Sequence, residues 1–178
     1  MKLSSQVKTI LSGLTFSLLG CLISFWTGWI IIIPILYGLS IPIVNVDGQF
    51  VQKFKLTLVS AISSAIILIA TTVFIVGFDL GKYIFPGILV GIAAVFILVI
   101  NGFLLEVINL NLKTIALVFT VSALTLPLSI YYGGRIFGSS LSDLYTRLNG
   151  IIFVWLSMTT IAISFGMRKN PTAKKRLD

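Results

Sequence analysis

The chain has 178 residues, 57% of them hydrophobic and 10% charged, with a formal net charge of +8 and a mean hydropathy of +1.10. A water-soluble domain of this size has about a quarter of its residues charged, so this chain lacks the polar surface to stand in water. The basic residues flank apolar runs or gather in the tail MRKNPTAKKRLD instead of interleaving with aromatics along a groove, which argues for anionic headgroups and against nucleic acid as their counterpart.

In chain order the apolar runs fall at 10–26, 29–46, 56–77, 83–105, 112–132 and 149–167. Several reach the roughly 18–20 residues needed to cross a bilayer core as a helix, and none shows the alternating segments of about 10 residues of a membrane barrel. The fold expected is all-α: a polytopic transmembrane helical bundle with six spans. Residues 1–178 read as a single integral membrane domain, with 168–178 as a basic cytoplasmic tail.

The first two runs decide the topology. No charge occurs between Thr9 and Val46, and one helix over 9–46 would be about 57 Å long against a hydrocarbon core of about 30 Å. The stretch WTGW offers a break, with Thr27-Gly28 as a tight turn and Trp26 and Trp29 at headgroup level. Pro34 and Pro42 lie in the second run and predict a bent helix there. With six spans, ten cations (Lys2, Lys8, Lys53, Lys55, Lys113, Arg168, Lys169, Lys174, Lys175 and Arg176) face one side and three (Lys82, Arg135 and Arg147) the other. Five spans give eight against five at best. The positive-inside rule therefore selects six spans with both termini cytoplasmic, in a plasma (inner) membrane. Five spans, or five plus a re-entrant second segment, are the alternatives.

The start, MKLSSQVKTILSGLTFSLLGC, has the look of a lipoprotein signal, but Cys21 is followed by LISFWTGWIIII, where a mature lipoprotein would be polar. It reads as an uncleaved first span, with Cys21 a small buried residue. The same span carries small residues every three to four positions, Gly13, Ser17, Cys21 and Ser24, and the fourth run carries Gly87 and Gly91. Membrane helices associate through such stripes, so these are candidate partner-packing faces, for another membrane protein or a second copy. Contact inside the bundle is the alternative use. Between the last two runs, Ser140, Asp143 and Arg147 form either a short capped helix or an interfacial turn into the last span.

The chemistry is sparse. There is one cysteine and no histidine, which removes disulfides within the chain, the usual zinc sites and the commonest general base. The five acids, Asp47, Asp79, Glu106, Asp143 and Asp178, all lie near run ends or in the tail. Neither convergent metal ligands nor a nucleophile beside a base can be read from the pattern, so no enzyme, no metal and no cofactor are expected. Glu106, between VINGFLL and VINLNLK, is the one acid with little polar loop around it, and it reads either as a cation-linked site or as a solvated interfacial acid. Pro34, Pro42 and Pro127 can open backbone polar groups inside a bundle. Asn101, Thr120 and Thr125, with Glu106, are then the candidate ligand-binding residues for a neutral solute.

The size and six-span layout resemble those of the substrate-binding subunits of vitamin-uptake transporters, a likeness of architecture that carries no sequence motif and implies function only by analogy. The expectation is a non-catalytic component of a membrane transport system that binds a neutral or weakly polar solute and docks a partner. The alternative is a structural or assembly subunit of a larger membrane complex, with no solute of its own.

Overall fold

A computed structural model describes residues 4–45, 50–77, 84–105, 108–136 and 144–167. Among the described residues six helices follow one another: α1 (Ser5–Thr27), α2 (Ile32–Asn45), α3 (Phe50–Gly77), α4 (Ile84–Leu105), α5 (Leu112–Ile136) and α6 (Leu144–Phe165). Each packs on its neighbours in sequence, and α6 returns to α1, so the six close into a ring. Five are long and apolar enough to cross a membrane. Large apolar side chains such as Leu22, Phe25, Ile66, Phe96, Phe103, Leu128 and Phe165 point outward, the arrangement expected where lipid replaces water as solvent. The interior is filled by Ile33, Tyr37, Ile41, Ile97, Leu98, Leu156 and Ile163.

The break at WTGW is real and its cause is local. Gly28 takes a left-handed conformation (φ 74°, ψ 5°) and its N–H donates to Ser24 O at 2.8 Å, which closes α1. Without a Cβ, glycine adopts that conformation at no steric cost. Trp26 and Trp29 flank the turn, 86% and 67% exposed. At the other end, Ser4 caps α1, its side chain accepting from Val7 N.

α2 is the short helix, 14 residues and so about 21 Å, yet it does not turn back halfway. It runs antiparallel to α1. Gly20 lies against Ile33, where a Cβ would be 3.0 Å from Ile33 Cα. Further on, Ser12 Oγ donates to Ser40 O at 2.6 Å, and Asn45 Nδ2 donates to Thr9 Oγ1 at 2.8 Å. The chain after the turn thus travels back beside α1 almost to its start, as an antiparallel hairpin whose second helix is shorter than the five long enough to cross a membrane. α6 is also antiparallel to α1, with Gly13 against Thr160 and Ser24 against Asn149. Ser4 and Met167 therefore lie at the same end of the bundle.

That end is tied by backbone. Ile108 and Met167 form an antiparallel bridge, and Asn109 N donates to Gly166 O at 2.8 Å. Asn111 Oδ1 then caps α5 by accepting from Thr114 N at 2.8 Å. α3 begins six residues before the apolar run does, so Lys53 and Lys55 sit in its first two turns. α6 likewise begins at Leu144, so Arg147 belongs to the last helix, while Ser140 and Asp143 lie outside the described residues.

Candidate functional site

The small-residue stripes are taken up within the chain. A Cβ at Gly13 would overlap the Thr160 side chain, and Cys21 Sγ donates to Asn149 O at 3.4 Å. Ser24 Oγ donates to Asn149 Oδ1 at 3.1 Å, and Ser17 is fully buried on the same helix. On α4, a Cβ at Gly87 would lie 2.5 Å from Ala123 O, and one at Gly91 2.9 Å from the Phe119 ring, both on α5. Gly13, Ser17, Cys21, Ser24, Gly87 and Gly91 thus lie in contacts of this bundle, α1 with α6 and α4 with α5, the use given above as the alternative to a partner-packing face.

The four candidate ligand residues do not meet in one place. Asn101 is buried between α3 and α4, where its Oδ1 accepts from Ser60 Oγ at 2.7 Å and its Nδ2 donates to Ile97 O at 2.9 Å. Thr125 is buried on α5 and donates to its own helix at Val121 O. It lies between Ala123 and Pro127, which face Gly87. Gly87 and Asn101 are fourteen residues apart on α4, about 21 Å. Thr120 points outward, and Glu106 lies outside the described residues.

Two polar centres do form. One surrounds α2. Pro42 has no N–H to give to Gly38 O, its helical partner four residues back. α3 approaches there: a Cβ on Gly38 would lie 2.5 Å from Ala61 Cα, and Ser60 Oγ reaches Gly38 O at 3.2 Å as well as Asn101 Oδ1. One turn further along α3, Ser64 Oγ is buried with no partner. Next to Gly38, Tyr37 is fully buried and its hydroxyl accepts from Thr160 Oγ1 of α6 at 3.3 Å.

The other centre follows α6. The contacts of Gly13 with Thr160 and Ser24 with Asn149 place Ser17 level with Leu156. Along this seam Ser17 Oγ and Asn149 Nδ2 are buried without partners, as is Ser157 Oγ on α6. On the side of α6 that meets α5, Ser122 and Thr159 share a hydrogen bond of 2.8 Å, while Trp155 Nε1 and Ser129 Oγ are buried and unpaired. A polar atom in an apolar interior costs free energy until something bonds it.

Among the described residues, no three Cys, Asp or Glu side chains lie together. The four lysines with described side chains, Lys8, Lys53, Lys55 and Lys113, all sit in the first turns of α1, α3 and α5. The sequence signalled Asn101 as polar. Asn149 was not singled out there, and its part arises only from which helix faces which. Set against known protein families, curated proteins and solved structures, the chain matches none.

Proposed function

We propose that this protein is a non-catalytic component of a membrane transport system, binding a small neutral or weakly polar solute within the bundle and docking a partner chain. The observation that supports the solute reading is the pair of buried, unpaired polar atoms on the seam of α1 with α6, Ser17 Oγ and Asn149 Nδ2. These offer an amide donor and a hydroxyl, with no charge between them, and so suit an uncharged molecule with hydrogen-bonding groups. The basic ends of α1, α3 and α5 support a plasma (inner) membrane orientation with both termini in the cytoplasm.

The test is purification in mild detergent, with mass spectrometry of both the associated chains and the small molecules released on denaturation. A solute carried by the wild type and depleted in an Asn149→Leu variant is the result expected. A partner without any solute favours the assembly-subunit alternative, and neither solute nor partner overturns both. Orientation is tested separately, by reacting cysteines introduced at Ser4 and Trp26 with an impermeant reagent on intact cells. Labelling of the Ser4 site without permeabilisation refutes the cytoplasmic N-terminus.

A further inference from the structure

The end of the bundle that holds Ser4 and Met167 carries lysine where a helix prefers an acid. Lys8, Lys53 with Lys55, and Lys113 stand in the opening turns of α1, α3 and α5, and none of these helices has an acid in its first turn. A cation there opposes the helix dipole, whose positive end it adjoins. Lys8, Lys55 and Lys113 are exposed, and next to each in the chain is an exposed apolar residue: Val7, Phe54 at 59% and Leu112 at 82%. The three pairs lie at one height. From the contact of Gly13 with Thr160 it is five residues to Lys8 on α1 and five to Phe165 on α6, while Thr114, next to Lys113, meets Gly166. Asn45 reaches Thr9, next to Lys8. From the contact of Gly38 with Ala61 it is seven residues to Asn45 on α2 and seven to Phe54 on α3. The sequence assigns ten cations to this side against three acids, Asp47, Glu106 and Asp178, so positive charge is in excess whatever those acids pair with.

We infer that this end is a docking surface for an anionic lipid leaflet: Lys8, Lys55 and Lys113 take up the phosphates of negatively charged phospholipids, and Val7, Phe54 and Leu112 enter the acyl chains beneath them. The occupant follows from the pairing. An acidic soluble partner would match the lysines but leave Phe54 and Leu112 in water, and an uncharged lipid would match the apolar side chains but leave the lysines unanswered. Only a surface with anions above hydrocarbon satisfies both members of each pair, the lysine stem lying along the apolar layer and its ammonium reaching the phosphate. A phosphate at these helix starts meets the lysine and the positive end of the dipole together. The arrangement that weakens each helix in isolation thus becomes favourable in that leaflet, and the stability of the fold depends on lipid charge. The surface lies outside the bundle interior, so it stands or falls independently of the solute reading.

The experiment is thermal unfolding of the full-length protein in a neutral detergent, titrated with phosphatidylglycerol or with phosphatidylcholine of the same acyl chains. Phosphatidylglycerol is expected to raise the midpoint saturably and to lose most of that effect at high salt, while phosphatidylcholine leaves the midpoint unchanged. Soluble glycerol phosphate, the anion without its chains, should have no effect at the same concentration. Each of Lys8→Gln, Lys55→Gln and Lys113→Gln should raise the phosphatidylglycerol concentration for half the effect by about fivefold. Lys82→Gln, in the segment between α3 and α4, should not. Equal stabilisation by both lipids, equal stabilisation by glycerol phosphate, or a phosphatidylglycerol effect unchanged in two or more of the three lysine variants overturns the proposal. If the variants do not fold, native mass spectrometry of the wild type, taken from an equal mixture of the two lipids, decides: enrichment of retained phosphatidylglycerol supports it, and retention of the two in equal amounts refutes it.

Discussion

Gly38→Ala is the substitution that best tests the packing described here. A methyl group at that position would lie 2.5 Å from Ala61 Cα and 2.9 Å from Ala61 O. Both are backbone atoms, so no side-chain rotation relieves the overlap, and α2 must withdraw from α3. Withdrawal also lengthens the contact between Ser60 Oγ and Gly38 O, now 3.2 Å, leaving a proline-freed carbonyl without company. Overpacking of this kind costs about 1–3 kcal/mol. With a melting shift of about 2–4 °C per kcal/mol for chains near this length, the midpoint should fall by about 2–12 °C. The control is Gly102→Ala. The three atoms nearest its methyl would all belong to the Leu110 side chain, the first at 2.7 Å, and a side chain can turn aside. Thermal unfolding in detergent, followed by the loss of the monodisperse peak in size-exclusion chromatography, reads both. If Gly38→Ala melts within 1 °C of the wild type, or no lower than Gly102→Ala, the close approach of α2 to α3 is not as described.

Gly28→Ala should lower stability by about 1–2 kcal/mol although nothing lies within 4 Å of its Cβ position, because the cost is the left-handed backbone. Gly28→Asn should recover part of that loss in the same melting assay. For the Ser122–Thr159 pair, a double-mutant cycle with Ala and Val should give a coupling of about 0.6 kcal/mol, typical for hydroxyls between membrane helices. A coupling of zero would show that the two do not meet. Cys21, buried with its thiol on Asn149 O, should resist thiol reagents in the folded protein and react once the protein is denatured in SDS. Rapid labelling in mild detergent would place α1 elsewhere.

The helical class and the turn at Gly28 were legible because both are local. Runs of apolar residues have one stable form in lipid, and a glycine between two tryptophans is a turn signal wherever it occurs. Helix ends were less legible, since hydropathy sees only the hydrocarbon core. Phe50–Lys55 continues α3 into its charged first turns, and Leu144–Leu148 begins α6 before its apolar run. The antiparallel bridge of Ile108 with Met167 left no trace in the sequence, because it joins backbone groups far apart in the chain. The ligand set was the least legible part. Asn101, Thr120 and Thr125 share a chemistry, but only helix rotation decides that Asn101 meets Ser60, that Thr125 satisfies itself, and that Thr120 faces out.

The two internal prolines show why composition alone could not locate a site. Pro42 and Pro127 each free a carbonyl one turn back, Gly38 O and Ala123 O. The first is met by a hydroxyl, Ser60 Oγ, and stands in a cluster of oxygens. The second is met by Gly87, close enough that a Cβ there would lie 2.5 Å from it, a contact that only a weak Cα–H donor can make. Identical backbone defects are thus filled in opposite ways, one by polar chemistry and one by tight packing. Replacing each proline by alanine separates them. Pro42→Ala restores the N–H to Gly38 O and should shrink the cost of Ser60→Ala, from about 1–3 kcal/mol for a buried acceptor left short of donors to about half of that. Pro127→Ala should leave the cost of Ser60→Ala untouched. Equal costs in the two backgrounds would mean that Ser60 does not answer to the carbonyl that Pro42 frees.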